Sequence, residues 1–447
     1  MEELYQQQLL KRIMAYYYEQ FESFITRKWC DYKLPQIIRD TDRKYAYKRF
    51  YRIVKNENVA NRQTIRKWFG LSDNKSTPNR NQIFKIAFAL NMTLAEAEDY
   101  LKNGISDAGF HVNDYEEFMM MYCLDNGIDY EQYQKMLEFY ERKCEKDCEW
   151  EQTSHTQWLV VQYENIKDLS VEDFLVWMCK NQKYFKGYSL TLLYIYHSLI
   201  ERSLQYVRRD IKSILMRELE PTGFFQWAKR HNINEPYEAQ DIERFVKNKS
   251  RQKCTNMTTD MVKEIRYLLA GAYASKDRMT DLISEIYTFS SGKTAKKGRK
   301  GAGQCPEIIA EIKRVDSKYI SELLHIAVLK EEQMKRKIHI AGIEDEEEKK
   351  EEKKKLAAYS QRIHQVQRND LLILIQYVFY KRVMTDIEDR KYQYNRERAK
   401  EDFCEYANGI LETCGMRLLN ESYLFDAMVF ACFGEKDMYL FSEILEV

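Results

Sequence analysis

Residues 56–70 read NENVANRQTIRKWFG, a stretch whose apolar residues recur at helical spacing. Asn61 can cap a helix, and advancing 100° per residue from Arg62 gathers Ile65, Trp68 and Phe69 on one side. Gln63, Arg66 and Lys67 point to the other. The apolar side can dock on a core while the polar side faces outward, and Gly70 then stops the helix. A polar loop, SDNKSTPN, separates this helix from a second apolar one, QIFKIAFAL.

Further start signals follow. Asn79-x-x-Gln82, Thr93-x-x-Glu96 and Ser170-x-x-Asp173 each place a side-chain acceptor where a helix leaves backbone N–H groups unpaired. They predict helices near 80–90, 94–103 and 171–182. No sustained alternation of apolar and polar residues is bounded by hairpin turns. Of 447 residues only 5 are Pro and 15 Gly, while 44% are hydrophobic and 13% aromatic. Few breakers and ample core-forming residues predict an all-α, multidomain protein built of helical bundles.

Charge marks the sharpest boundaries. The chain carries 71 Lys and Arg against 70 Asp and Glu, a net +1 that excludes a globally basic coat. Between Lys33 and Lys85, however, 14 basic residues face 4 acids, and from Ile86 to Trp150 15 acids face 5 bases. The neutral total conceals a dipolar N-terminal domain. The expected division is residues 1–150, a middle helical domain over 151–290, a basic linker over 291–305 within SSGKTAKKGRKGAG, and a C-terminal helical domain over 306–447. The last includes EDEEEKKEEKKK at 344–355, where Glu346/Lys350 and Glu351/Lys355 are spaced for pairing on a solvated helix.

RQTIRKWFG looks like the recognition helix of lambda-repressor-type (XRE-like) helix-turn-helix proteins, and TPNRNQIFKIAFALNMTLAEAEDYL resembles that family's following helix pair. The resemblance covers residues 45–103. In the turn, Asn58-Val59 stands where the family usually has Gly. It implies a helix laid in the major groove of double-stranded DNA, with Gln63 and Arg66 near base edges, Lys67, Lys75 and Arg80 near phosphates, and Arg62 among the residues that bind the nucleic acid. Arg43, Lys44, Lys48, Arg49 and Arg52 on the preceding helix would clamp the backbone. The residue types suit that chemistry, because Arg pairs with guanine and Gln with adenine through two hydrogen bonds each, and Lys supplies position and affinity. The interleaved Tyr45, Tyr47, Phe50 and Tyr51 serve equally as packing residues.

The expected function is therefore DNA binding by a transcriptional regulator. The alternative is a protein–protein scaffold or adaptor, for phage defence or a mobile element, whose basic residues pair with the acids at 96–149. A homodimer or protein partner through the middle or C-terminal helices is open in both.

No cofactor and no enzymatic activity are expected. Cys144 and Cys148 with His155 lack a fourth zinc ligand, and Gly292-Lys293-Thr294 has Tyr287 where a phosphate loop needs Gly. Ten scattered Cys read as reduced thiols, and His197 as a satisfied core histidine. Arg208, Arg209 and Lys212 could extend a basic surface. The N-terminus fits neither a secretory nor a transit peptide. LTLLYIYHSLI (190–200) and LLILIQYVFY (371–380) are too short to span a membrane and read as buried helix segments. A cytoplasmic protein is expected. Residues 114–127 and 423–437 share an acid, an apolar run, a Cys and a polar turn, which fits either two modules of related design or chance likeness between helices.

Overall fold

The computed structural model describes residues 25, 40–55, 57, 59–72, 76–104, 108–144, 156–251, 257–273, 279–287, 315–360, 363–421, 424–441 and 443. Among them are nineteen α-helices and no strand. The one β-type contact there is an isolated bridge between Phe433 and Met438. The all-α expectation holds.

In chain order the first helices are α1 Asp40–Val54, α2 Arg62–Trp68, α3 Arg80–Ala89, α4 Leu94–Asp99, α5 Tyr115–Asp125, α6 Tyr130–Lys143, α7 Thr156–Ile166 and α8 Val171–Lys180. Then come α9 Leu190–Leu219, α10 Phe224–Arg230, α11 Ala239–Arg251, α12 Thr259–Ala272 and α13 Met279–Tyr287. The series ends with α14 Ser317–Leu324, α15 Ile326–Ala341, α16 Glu346–Ser360, α17 Arg368–Glu388, α18 Arg396–Thr413 and α19 Leu424–Ala431.

The local signals act as read. Asn61 Oδ1 accepts from Thr64 N at 2.8 Å, and complete capping boxes form at Asn79/Gln82 and Thr93/Glu96. Ser170 accepts from Asp173 N at 3.1 Å. Gly70 takes φ +60°, so Gly70 N reaches the Lys67 carbonyl and Leu71 N that of Arg66, the paired bonds of a left-handed helix stop. Asn91, at φ 49°, ends α3 in the same way before α4 begins.

The chain divides into two compact units, neither a single stretch. Unit 1 takes Met1–Tyr196, Glu322–Leu372 and Tyr394–Tyr439. Its core joins Phe50, Ile65, Trp68, Phe69 and Ile83 to Phe118, Tyr122, Phe174 and Phe185, with Met334 and Ile338 of α15 in the same cluster. Unit 2 takes His197–Ser321, Ile373–Gln393 and Leu440–Val447, with one core around Leu215, Phe224, Phe245 and Ile265. Within unit 2, Arg209 bonds Thr385, Lys381 pairs with Asp210 at 2.5 Å, and Lys212 lies over the Tyr273 ring.

Two details differ from the sequence reading. Residues 371–379 are buried on every side, as expected, but 190–200 form an amphipathic stretch on which Tyr194 is 76% exposed. His197 is half-buried, and its Nε2 has no hydrogen-bond partner among the described residues, so it is not a satisfied histidine. The linker at 291–305, Cys148 and His155 lie outside the described residues. α16 buries no residue and carries the Glu351–Lys355 pair at 3.2 Å.

The echo between 114–127 and 423–437 has a structural counterpart. Arg80, first residue of α3, bonds both carboxylate oxygens of Glu117, third residue of α5, at 2.9 and 2.6 Å. The same guanidinium donates to the carbonyls of Ala108 and Gly109, and His111 N donates to Glu117. Arg368, first residue of α17, grips Asp426, third residue of α19, at 2.6 and 2.8 Å. It donates to the carbonyls of Arg417 and Leu418, while Asn420 N donates to Asp426. In both latches the carbonyls lie nine and eight residues before the acid and the N–H six before it. The two segments thus carry the same arrangement of five hydrogen bonds.

Arg368 and Asp426 are fully buried, and removing one partner strands the other's charge. Asp426→Ala is expected to lose about 3–5 kcal/mol in urea unfolding, and Arg368→Met/Asp426→Leu to recover much of it. A single variant as stable as wild type would show that the latch is not needed.

Candidate nucleic-acid interface

α1 supplies two faces. Ala46, Tyr47, Phe50 and Val54 are buried, whereas Lys44, Lys48 and Arg52, spaced four apart, stand in water with Arg49 beside them. The four-residue spacing puts those cations on one ridge. Arg43 falls on the packed side and is half-buried. Tyr47 and Phe50 are core residues and Tyr51 is half-buried, while Tyr45 remains exposed between the cations.

α2 lies against α1 through Ile65, Trp68 and the following Phe69, all at or below 1% exposure. Phe50 meets Trp68 edge-on at 6.4 Å and Phe69 at 5.4 Å. Because this side is anchored, Arg62, Gln63 and Arg66 are exposed, and Lys67 is half-buried at the rim. Arg66 is also tied locally: its Nη2 donates to the Leu71 carbonyl at 2.9 Å, bracing the turn that ends its own helix. Lys75 lies outside the described residues.

Arg80 is the clear correction. Its expected phosphate role gives way to the Glu117 latch, in which burial pushes the Glu117 carboxyl up and Arg80 only partly opposes it. Sequence displays a cation and hides its partner 37 residues away. The one available signal was Glu117 itself, an acid inside the apolar run EEFMMMYC, where burial demands a counter-ion.

Some acids of this stretch pair within it, Glu98 with Lys102, Glu131 with Lys135 and Glu138 with Arg142, and others find partners far along the chain. Lys330 reaches Asp114 at 3.2 Å, Lys337 binds Glu116, and Lys349 approaches Glu138 at 3.4 Å. Lys337 also lies over the Tyr115 ring, whose hydroxyl donates to Glu141 at 2.6 Å. Burial would raise the Asp114 carboxyl, but Lys330 and then Lys337 outweigh it and hold the group below its ordinary value. Burial would lower Lys337, and Glu116 and Asp114 reverse that too. No acidic partner of Arg66 or Lys67 occurs among the described residues. Lysines of α15 thus meet Asp114 and Glu116, and Lys349 of α16 joins Arg142 at Glu138.

The described residues contain no group of three metal-capable side chains, and no helix among them is long and apolar enough to cross a membrane. The described cysteines are free, and burial pushes the Cys123 and Cys414 thiols to about 12. No protein-family model, curated protein or solved structure matches this chain.

A carboxylate with a lowered folded pKa adds stability above about pH 4, the unfolded range, that is lost as pH falls through the lower folded value. Lys330→Met removes the stronger attraction on Asp114, so its acid-unfolding midpoint, followed by far-UV circular dichroism, is expected at higher pH than wild type. Equal midpoints would mean that the pair contributes nothing at the acid limb.

Proposed function

We propose that this chain binds duplex DNA through the ridge of α1 and the outer face of α2, which act as a helix-turn-helix. The observation that carries the reading is the exposure of Lys44, Lys48, Arg49, Arg52, Arg62 and Gln63 on one small framework, while acids of the following stretch are engaged by Lys330, Lys337 and Lys349. An α-helix with its side chains is ~10–12 Å across, which a major groove ~12 Å wide admits. In this reading exposed Gln63 pairs with adenine, and Arg66, held by the Leu71 carbonyl, with guanine. The cations of α1 grip phosphates, which position the reader without carrying sequence information.

Arg80 favours the second reading, an interaction scaffold, because one expected DNA contact is used inside the protein. Duplex titrations separate the two. With about six phosphates neutralised, log K is expected to fall against log salt with a slope near −5. Lys48→Ala should weaken all duplexes alike and flatten that slope by about one. Gln63→Ala should cost about 1–3 kcal/mol on the preferred site and less elsewhere. A wild-type chain that ignores duplex DNA at low salt leaves the scaffold reading standing.

A further inference from the structure

Beneath α2 lies a feature that charge counting passes over. Tyr47 and Tyr51, one turn apart on α1, stack with ring centroids 5.8 Å apart and planes 19° from parallel. The Arg62 guanidinium lies over the Tyr51 ring at 5.8 Å and that of Arg66 over Tyr47 at 6.0 Å. Two arginines one turn apart on α2 thus meet two tyrosines one turn apart on α1, in register. Tyr47 is braced edge-on by Phe69 at 5.8 Å, so the platform is anchored in the core.

We propose that the Tyr47–Tyr51 pair is a positioning shelf that orients Arg62 and Arg66 for the phosphate backbone and base edges of duplex DNA, an inference that rests on the reading above. An aromatic ring attracts the flat face of a guanidinium. Stacking on the ring face leaves the in-plane N–H groups, which recognise phosphate and guanine, uncovered by the ring, although Arg66 already gives one of its Nη2 hydrogens to the Leu71 carbonyl. A long arginine side chain otherwise surrenders rotamer freedom when it binds, and holding it beforehand removes part of that loss. At Tyr51 it is the ring, and not the hydroxyl, that serves this role.

Tyr51 is half-buried and makes the cleaner test. The whole chain is titrated onto a fluorescently labelled duplex, well below the melting temperature of each variant. Tyr51→Leu is expected to weaken binding roughly two- to five-fold. Tyr51→Phe, which keeps the ring, should bind like wild type. On an Arg62→Ala background, Tyr51→Leu should add little, because the ring acts through that guanidinium.

A full additional loss in the double variant would show that Tyr51 works by packing alone and would overturn the shelf. So would Tyr51→Phe binding as weakly as Tyr51→Leu, or Tyr51→Leu binding like wild type while Arg62→Ala is impaired. Failure of the wild-type chain to bind any duplex is a different result, which removes the DNA reading itself.

Discussion

A guanidinium gripped at both ends of its fork by one buried carboxylate recurs twice in this chain and organises what surrounds it. Arg80 with Glu117, and Arg368 with Asp426, each pull the first turn of one helix onto the first turn of another. Each also gathers the intervening chain by taking up two successive carbonyls. Burial in low dielectric makes such a pair intolerant of a missing partner, and so it fixes geometry more firmly than apolar contacts alone. Gly109 belongs to the first latch: a Cβ there would lie 2.5 Å from Glu98 Oε1 and 2.7 Å from Lys102 Cε, the far ends of two side chains that would have to shift to admit it.

A second constraint follows from charge. Acids near the start of α5 sit where water is scarce, and cations must meet them. Lys330 and Lys337, two turns apart on one face of α15, meet Asp114 and Glu116, and Lys349 of α16 approaches Glu138. A helix far downstream is thereby part of the core that holds the N-terminal helices, with Met334 and Ile338 packed beside the lysines' own turns. Lys44, Lys48 and Arg52 of α1 are exposed. Surface charges so exposed are screened by solvent and salt and add little to the stability of the fold.

Much of the local structure is legible in the residues themselves. The caps at Asn61, Asn79, Thr93 and Ser170, the stop at Gly70 and the inward side of α2 all follow from rules that involve residues within about one turn of each other. Arg80 and Arg43 escape such rules for one reason: a cation's fate depends on what the fold brings against it. His197 and the stretch at 190–200 escape them because an apolar run resembles a core segment until its helix is seen to have a wet side. Tyr47 and Tyr51 read in sequence only as aromatic neighbours, since stacking under α2 requires two helices to be placed first.

Sequence alone determined that the chain is helical, where several helices start and stop, and that basic and acidic residues are segregated near its beginning, because those properties reside in neighbouring residues. Only the tertiary structure decided which charges are spent internally and which are offered to solvent, because ion pairing falls off with spatial distance and is blind to separation along the chain. The two latches span that divide. Their acids and arginines are visible in the sequence, but their identity as one repeated device emerges only when chain segments far apart are brought within hydrogen-bonding reach.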